Sequence, residues 1–381
     1  MAGRASLTFL GQEDIILSGD PEGTYFLSRY ASQTPYATKT DKVQFTSLVR
    51  FGDEATLVIP KSGDLVTGIS IKLNFPITAA SVLDSVGTLM IDRVELLCDG
   101  QIIERIYGQY IDIVQDLTVP QGKQAGLFKL VGKLETVTNL PYTKPATGYT
   151  VALPFSCLRN GLPLCALGNS EITFRVIFKD AVDFTYPPTI IYDALDLFLH
   201  VEYTYLSEPE CKSLKSKPFI YLTEEARMND YSVALGQNFI RVKTELTNPV
   251  KELFFVIQNT TALGYDYTTD GTQEQLQNMA LYINGVDRIP PLVGSSLFLR
   301  VIQANEFHTR LPDRLIYMYS FCLDPEDHVP NGSINMSRIQ NQVFDFNLNS
   351  SLYPRTIKIY SLSYNFFEVR DGQGHILFPN M

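Results

Sequence analysis

The chain contains no tryptophan and only four histidines, which are dispersed along its 381 residues as His200, His308, His328 and His375. Its five cysteines are also scattered, and no two of them form a CxxC pair. A zinc centre or a thiol nucleophile needs partner residues at characteristic spacing. The pattern therefore excludes the common zinc motifs and predicts reduced thiols in a cytosol-like compartment.

The sequence also lacks the short motifs of hydrolases and nucleotide-binding enzymes: GxSxG, HExxH, GxxxxGK[ST] and GxGxxG do not occur. The segment Asp266–Gly271 is similar to the start of a calcium-binding loop, but Gln277 stands where a bidentate carboxylate is required. The acidic run Asp324–Asp327 is typical of a solvated turn. We therefore predict no enzyme activity, no cofactor, and no catalytic, cofactor-binding or metal-binding residues.

Charged residues make up only 19% of the chain, and the formal net charge is -10. No cluster of Lys and Arg stands out, so direct binding to nucleic acid is not expected. The strongest apolar run, Leu253–Ile257, is far too short to cross a bilayer, and the first residues do not form a signal peptide. We expect a soluble protein.

Aromatic and turn-forming residues are abundant, with 21 Tyr, 23 Phe, 24 Gly and 21 Pro. This mixture favours short strands joined by turns. Apolar residues alternate with polar ones, as in half-buried antiparallel strands. The predicted inward faces are Leu65, Thr67, Ile69, Ile71, Leu73 and Phe75; Val43, Phe45, Val49 and Phe51; Ile172, Phe174, Val176 and Phe178; and Leu197, Leu199, Val201, Tyr203 and Tyr205.

Helical spacing occurs in two short segments, one over Tyr107, Tyr110, Ile111, Val114 and Leu117, and one over Leu297, Phe298, Val301 and Ile302. Each follows a hairpin signal, Asp99-Gly100 and Asn284-Gly285 respectively. The order of strands, hairpin, short helix, long loop and strands thus occurs twice, which indicates a tandem duplication. The turn-rich segments 118–149, 179–188 and 259–277 are predicted to be loops facing outward.

These patterns predict an all-β protein of two tandem eight-stranded jelly-roll β-sandwiches, a double jelly roll, with short helices in the loops. We assign residues 1–36 to an N-terminal arm, 37–207 to the first jelly roll, 208–218 to a linker and 219–381 to the second jelly roll. Gly100, Gly285 and Gly332 are expected to permit positive φ at turns. Pro325 and Pro330 are expected to fix the loop before the last strands.

Several longer segments allow comparison with known proteins. They are Gly11–Glu22 with Thr24–Phe26, VELLCDGQIIERIYGQYIDI (Val94–Ile113), LPFSCLRNGLPLCAL (Leu153–Leu167), NPVKELFFVIQ (Asn248–Gln258), LYINGVDR (Leu281–Arg288), YMYSFCLDPED (Tyr317–Asp327) and PNGSINMSRI (Pro330–Ile339). In this order they resemble the major capsid protein family of the large eukaryotic DNA viruses, from Gly11 to about Gly374. The last two segments are the most specific. The chain departs from the family pattern at Ser156, Cys157 and Asn331, and its shorter length implies trimmed outward loops.

The resemblance implies a structural protein of the virion. Three copies would associate so that six jelly rolls form a pseudo-hexagonal capsomer, and capsomers would tile an icosahedral shell. The implied partners are the chain itself as a homotrimer, neighbouring capsomers, minor capsid and penton proteins, and an inner viral membrane layer. We expect the N-terminal arm to reach either a neighbouring copy or that membrane layer. Assembly would take place in the host cytoplasm.

Two alternatives stay open. A minor capsid protein or an assembly scaffold could have the same fold. A carbohydrate-binding β-sandwich is also compatible with the strand pattern, although no sequence feature places an aromatic groove lined by acids.

Overall fold

The computed structural model describes residues 11–24, 32–74, 81–134, 148–188, 190–191, 194–269 and 273–378, together with residues 4, 8 and 26. By its internal contacts the chain divides into two units, Met1–Pro35 and Tyr36–Met381. The first unit contains helix α1, Gln12–Ser18. The strands and helices named below all lie in the second unit.

The first half of the second unit forms two antiparallel sheets of four strands among the described residues. Their orders are β1-β8-β3-β6 and β2-β7-β4-β5. Consecutive strands cross from one sheet to the other except at the β4–β5 hairpin, which is the jelly-roll arrangement. The bounds are β1 Ala37–Gln44, β2 Glu54–Val58, β3 Leu65–Asn74, β4 Ile91–Cys98, β5 Gln101–Tyr107, β6 Gly148–Ala152, β7 Ile172–Phe178 and β8 Asp196–Tyr205.

The second half repeats this order. One sheet is β10-β18-β14-β15, and the other contains β9-β19-β11-β16, with β17 added on β11 and β20 on the end of β19. The double jelly roll predicted from the sequence is confirmed. The bounds are β9 Phe219–Val233, β10 Phe239–Thr244, β11 Pro249–Asn259, β12 Thr268–Thr269, β13 Gln273–Glu274, β14 Leu276–Ile283, β15 Val286–Ile289, β16 Tyr317–Ser320, β17 Ile334–Asn335, β18 Gln342–Leu348, β19 Arg355–Arg370 and β20 Gln373–Ile376.

Alternation places one face of most strands in a core, and in β7 every second residue is buried as predicted. The prediction for the start of β3 is wrong. A bulge between Val66 and Gly68 shifts the pairing with β8, so Val66 is buried instead of Leu65 and Thr67. The first strand ends earlier than its alternation of apolar residues indicates. It ends at Gln44, and residues 49 and 51 lie in the loop that follows. Residue 75 lies outside the described residues.

Strands β11 and β19 are buried on both faces, which explains why Leu253–Ile257 is continuously apolar. Phe255 and Ile257 pack in the core of the second sandwich. Phe254 and Val256 belong to the apolar cluster that includes the core of the first sandwich. The two cores are therefore separated by one sheet, and the sandwiches pack directly against each other.

Tight turns close the hairpins that the sequence predicted. Asp99 and Gly100 have φ of 50° and 83°, and Asn284 and Gly285 have φ of 51° and 81°. Two successive left-handed residues give the turn that matches the twist of the flanking strands. A third such turn, Asp371-Gly372, joins β19 to β20. This turn was not predicted from the sequence, although it has the same Asp-Gly signal.

The helices of this unit are short, and no described helix has the length and apolar content to span a bilayer. The first predicted helix is confirmed as α3. The second exists, but its predicted face is wrong: Leu297 and Ile302 are exposed, whereas Leu299 and Ala304 are buried. A π-helical turn, Phe298–Ile302, widens the spacing there. The helices are α2 Val86–Leu89, α3 Gly108–Thr118, α4 Gln121–Val131, α5 Glu208–Ser216 and α6 Gln303–Phe307.

Helix α4 lies within 118–149, which the composition assigned to a loop, and residues 135–147 of that segment are outside the described residues. Helix α5 lies within 208–218, the segment assigned to a linker. The division of the chain at these boundaries stays a prediction.

The loops between successive pairs of strands gather at one end of the first sandwich. Main-chain hydrogen bonds join Gly52 to Lys179, Leu83 to Phe184 and Ser85 to Gly132. The hairpin turns lie at the opposite end, where the N–H of Asp99 donates to the carbonyl of Glu171. Segments 118–134 and 179–188, both within segments predicted to face outward, are thus at the same end of the first sandwich.

Gly108 begins α3 where the helix packs tightly on main chain. A Cβ at this position would overlap the carbonyl oxygens of Thr88 and Ile91, which are backbone atoms and cannot turn away. We expect Gly108→Ala to lower the free energy of unfolding by roughly 1–3 kcal/mol or more. Gly126 in α4 has nothing within 4 Å of its Cβ position. Gly126→Ala, the matched control, should stabilise by up to about 1 kcal/mol.

Urea unfolding monitored by circular dichroism checks both variants. Equal stability of Gly108→Ala and the unmodified protein would contradict the tight packing of α3.

Candidate functional site

The two sandwiches meet along a junction that buries charged side chains from both halves. Strand β5 of the first sandwich lies beside β9 of the second. Helix α3 of the first half faces the segment between α6 and β16 of the second. Charged groups are almost never fully buried unless they are paired, so their partners show what holds the halves together.

Arg314 is at the centre of this junction. Its buried guanidinium donates to Asp84 Oδ2 at 2.6 Å and to Ser85 Oγ at 2.9 Å, and it also pairs with Asp112 of α3. Burial lowers the pKa of Arg314, but Asp112 and Asp84 outweigh this effect and raise the pKa above its ordinary value. The second sandwich thus inserts a permanent cation between carboxylates of the first.

Asp116 lies one helical turn after Asp112, so both carboxylates share one face of α3. Its Oδ1 accepts hydrogen bonds from Arg310 Nη1 at 3.0 Å and from Lys133 Nζ at 2.9 Å. Its Oδ2 accepts from the main-chain N–H of Asp313 at 3.0 Å. Burial raises the pKa of Asp116, but the neighbouring cations, Lys133 first, hold it below its ordinary value. Asp116 therefore stays ionised at the junction.

Gln109, in the first turn of α3, connects the same helix to the second sandwich through its uncharged amide. Its amide nitrogen donates to Tyr267 Oη at 2.8 Å, and Tyr360 Oη donates to its amide oxygen at 2.7 Å. Lys358 Nζ donates to the same oxygen at 3.2 Å. The side chains at positions 109, 112 and 116 of α3 thus all bind groups of the second half.

A cavity of about 230 Å³ lies in the junction beside α3 and is lined by both halves. Its walls include the first-half residue Glu104 and the second-half residues Glu224, Lys251, Glu252, His308 and Glu326. Lys251 Nζ pairs with Glu224 and donates to the carbonyl of Pro325 at 2.9 Å. The cavity is partly closed, and its lining combines these charged groups with apolar side chains that include Val114, Leu117 and Phe254.

His308 lies between two carboxylates. Its Nε2 is 2.7 Å from Glu252 Oε1 and its Nδ1 is 3.0 Å from Glu326 Oε1. Burial lowers the pKa of His308, but the two carboxylates, Glu252 first, outweigh this and raise it to about 9. The interpretation of the run 324–327 as solvated turn charges is wrong for Glu326, which also accepts from the hydroxyl and the N–H of Thr309.

Glu104 is a buried residue of the cavity wall that belongs to the first half. It accepts hydrogen bonds from the N–H groups of Ser156 and Cys157 at 2.9 Å and 3.1 Å and from the Ser156 hydroxyl at 3.0 Å. Burial outweighs these hydrogen bonds and raises the pKa of Glu104 to about 7. Ser156 Oγ also accepts from the N–H of Glu224 at 2.6 Å, so it bridges the two halves.

The fold brings together three groups that no sequence pattern connects. The sulfur atoms of Cys165 and Cys211 and a carboxylate oxygen of Asp64 all lie within 4.8 Å of one another. Burial and the neighbouring Cys211 thiol raise the pKa of Cys165 to about 12. The three residues are far apart in sequence, and no spacing motif could have shown their proximity. All five cysteines are free thiols.

The calcium-like segment has a local structural role. Asp266 Oδ1 accepts from the N–H and the hydroxyl of Thr268, at 2.9 Å and 2.7 Å, and so fixes a turn before β12. Residues 270–272 of that segment lie outside the described residues.

Exposed apolar side chains are concentrated in residues 286–302 of the second sandwich, which we call the 286–302 patch. They are Val286, Leu292, Val293, Leu297 and Ile302, and Leu292 is 96% exposed. Concentrated exposed apolar side chains often mark a surface that another protein covers.

Removing Arg314 should leave Asp84 and Asp112 buried without their cation. We expect Arg314→Met to lower the free energy of unfolding by roughly 3–5 kcal/mol. Arg241→Met is the matched control, because Arg241 also pairs with an aspartate, Asp345, but on the surface, and its side chain is 64% exposed. Denaturant unfolding of both variants measures the difference. A similar, small effect in both would show that the junction does not depend on Arg314.

His308 should make stability depend on pH. Its pKa is 6.5 when unfolded and about 9 when folded, so its stabilisation is complete below pH 6.5 and is lost as the pH rises through 9. At low pH the effect is on the order of 3 kcal/mol. His308→Gln should therefore be less stable than the unmodified protein below pH 6.5, and the difference should shrink toward pH 9.

Urea unfolding across this pH range measures that difference. Glu104 acts in both proteins between pH 4.5 and about 7, so its effect cancels. A stability difference independent of pH would contradict the charged state of His308.

Comparison with known sequences matches both halves of the chain. Residues 24–205 match the family model described as "Major capsid protein N-terminus", and residues 210–375 match "Large eukaryotic DNA virus major capsid protein". The major capsid protein of Pyramimonas orientalis virus is 27% identical over 410 residues, which cover 99% of each chain. The major capsid protein of Phaeocystis pouchetii virus is 24% identical and covers 99% of each chain.

Solved structures show the same fold. The structure titled "PBCV-1 virus capsid, quasi-atomic model" superposes with a TM-score of 0.82 at 18% identity, covering 94% of this chain and 100% of that one. The Faustovirus major capsid protein superposes with a TM-score of 0.76 at 11% identity, covering 97% of this chain and 96% of that one. Both family matches and the double jelly roll agree, and the chain belongs to the major capsid protein family of the large eukaryotic DNA viruses, whose members are structural virion proteins and not enzymes.

Proposed function

We propose that the chain forms homotrimers that are pseudo-hexagonal capsomers and that these tile an icosahedral shell. The observation that supports this most is the repeated strand order, because two like sandwiches in each of three chains give six similar corners. The buried junction supports the same conclusion, since it holds the two corners of each chain in one fixed arrangement.

We also propose the division of labour along the chain. Residues 37–207 and 219–381 form the two corners, 208–218 joins them, and 1–36 is an arm that contacts a neighbouring capsomer or an inner membrane layer. Minor capsid and penton proteins are the further partners, and assembly takes place in the host cytoplasm. The shell does not bind nucleic acid directly, which agrees with the net charge of -10.

The 286–302 patch is the surface that we assign to contact between subunits. It comprises strand β15, the loop that follows it and the π-helical turn, and the N–H of Met279 fixes the loop by donating to the carbonyl of Gly294 at 2.7 Å. A fixed loop with exposed Leu292 and Leu297 loses little conformational freedom on association.

Mass in solution tests the trimer. Sedimentation velocity of the purified full chain should show a species three times the chain mass. A monomer at every concentration would overturn the trimer. Quantifying the chain in purified particles then separates a major shell component, present in the highest copy number, from a minor capsid protein or a scaffold of the same fold.

Charges in the 286–302 patch should weaken the trimer. We expect the double substitution Leu292→Asp and Leu297→Asp to shift the trimer toward monomer, because association would bury two carboxylates without partners. Leu352→Asp is the control: Leu352 is also an exposed leucine, 73% exposed, but lies in the loop between β18 and β19. Sedimentation velocity measures the mass of each variant, and circular dichroism checks that each variant is folded. An unchanged trimer in the double variant would show that the subunits do not associate through this patch.

A further inference from the structure

The cluster of Asp64, Cys165 and Cys211 lies where the first sandwich meets the helix that leads to the second half. Asp64 precedes β3, Cys165 lies in the turn after Leu164, and Cys211 lies in α5. The three donor atoms lie within 4.8 Å of one another, and both cysteines are half-buried. Three separate segments thus converge on one point.

Hydrogen bonds hold the carboxylate of Asp64 in place. The main-chain carbonyl of Asp64 accepts from the N–H of Cys165 at 3.0 Å, and the carboxylate oxygen Oδ2 of Asp64 accepts from the N–H of Leu206 at 2.9 Å. Its Oδ1 accepts from the Cys211 thiol at 3.3 Å. One carboxylate oxygen therefore points at the thiols, while the other is fixed by main chain.

From this arrangement we propose that Asp64, Cys165 and Cys211 bind a thiophilic divalent cation of the zinc class. Two thiolates favour such a metal over magnesium or calcium, which prefer all-oxygen sites. A tetrahedral site with Zn–S bonds of about 2.3 Å places donor atoms roughly 3.8 Å apart. The observed spacing needs only a small closing movement, and the partial exposure of both cysteines leaves the fourth position to water.

Binding exchanges protons for the cation. Each thiol loses its proton to solvent and the sulfur forms a bond to the metal, while Asp64 binds as the carboxylate. Two protons are released per ion, so apparent affinity falls as the pH is lowered. The bound ion would join α5 to the first sandwich and so stiffen the connection between the two halves. This site does not depend on trimer formation.

The other three cysteines do not belong to the cluster. Cys98, Cys157 and Cys322 are each buried in other parts of the fold, and the Cys98 thiol donates to the carbonyl of Gly374 at 3.4 Å. Cys98→Ser keeps a donor to that carbonyl. It is therefore the matched control for substitution of the clustered cysteines.

Cobalt binding tests the site. The purified full chain, reduced and freed of metal with a chelator, should bind one Co²⁺ per chain and develop a thiolate-to-cobalt charge-transfer band, which Zn²⁺ then removes. Cys165→Ser and Cys211→Ser should lose the band, and Asp64→Asn should weaken binding at least tenfold. Cys98→Ser should retain the band. Zn²⁺ should also raise the melting temperature of the unmodified protein but not that of Cys211→Ser.

Three results would overturn the proposal. The first is the absence of a charge-transfer band in the reduced, folded protein. The second is a band that persists in the double variant Cys165→Ser and Cys211→Ser. The third is a Cys165–Cys211 disulfide, found by alkylation and mass spectrometry of freshly purified protein, which would assign the pair to redox chemistry. Circular dichroism of each variant separates loss of the site from loss of the fold.

Discussion

The orientation of one sandwich relative to the other depends on the burial of Arg314 between Asp84 and Asp112. Apolar contact between the cores supplies most of the attraction, but it has little directional preference. A guanidinium held by two carboxylates has a defined geometry, and shifting it would leave buried charges unpaired. The apolar surface therefore brings the halves together, and the ion pairs select one arrangement. A shell protein needs such a fixed arrangement, because neighbouring copies must meet at constant angles.

The same constraint explains the unusual composition of β11 and β19. An ordinary jelly-roll sheet has one face in the core and one in water, but the sheet containing these strands lies between two cores. Its outer face includes Phe254 and Tyr360, whose hydroxyl reaches Gln109 of α3. The duplicated halves are thus alike in topology but not in environment, because the sheet of the second half that contains β11 and β19 is covered on both faces.

Local features of the fold could be predicted from the sequence, since they depend on residues close together in the chain. The turns at Asp99-Gly100 and Asn284-Gly285 need left-handed backbone, and the alternation in β7 needs only one buried face. The bulge before Gly68 and the π-helical turn before Gln303 were missed, because each adds one residue to a period that the pattern assumes to be constant. Arg314 and Asp112 are 202 positions apart, so no local pattern could have paired them.

The junction also limits the pH range in which the fold is most stable. Asp116 has a lowered pKa, so its contribution is lost as the pH falls through and below its ordinary value of 3.8. The pKa of Glu104 is raised to about 7 and that of His308 to about 9, so the folded state favours the protonated form of each side chain. Each therefore stabilises the fold less as the pH rises. These opposite signs place the greatest stability of the junction in acidic solution, above the range of Asp116 and below the ranges over which Glu104 and His308 lose their protons. His308 pairs with two carboxylates of the second half, and Glu104 accepts hydrogen bonds from groups of the first half. Rising pH therefore weakens contacts within each half at the walls of the cavity, while Arg314, whose pKa is raised, continues to join the two halves.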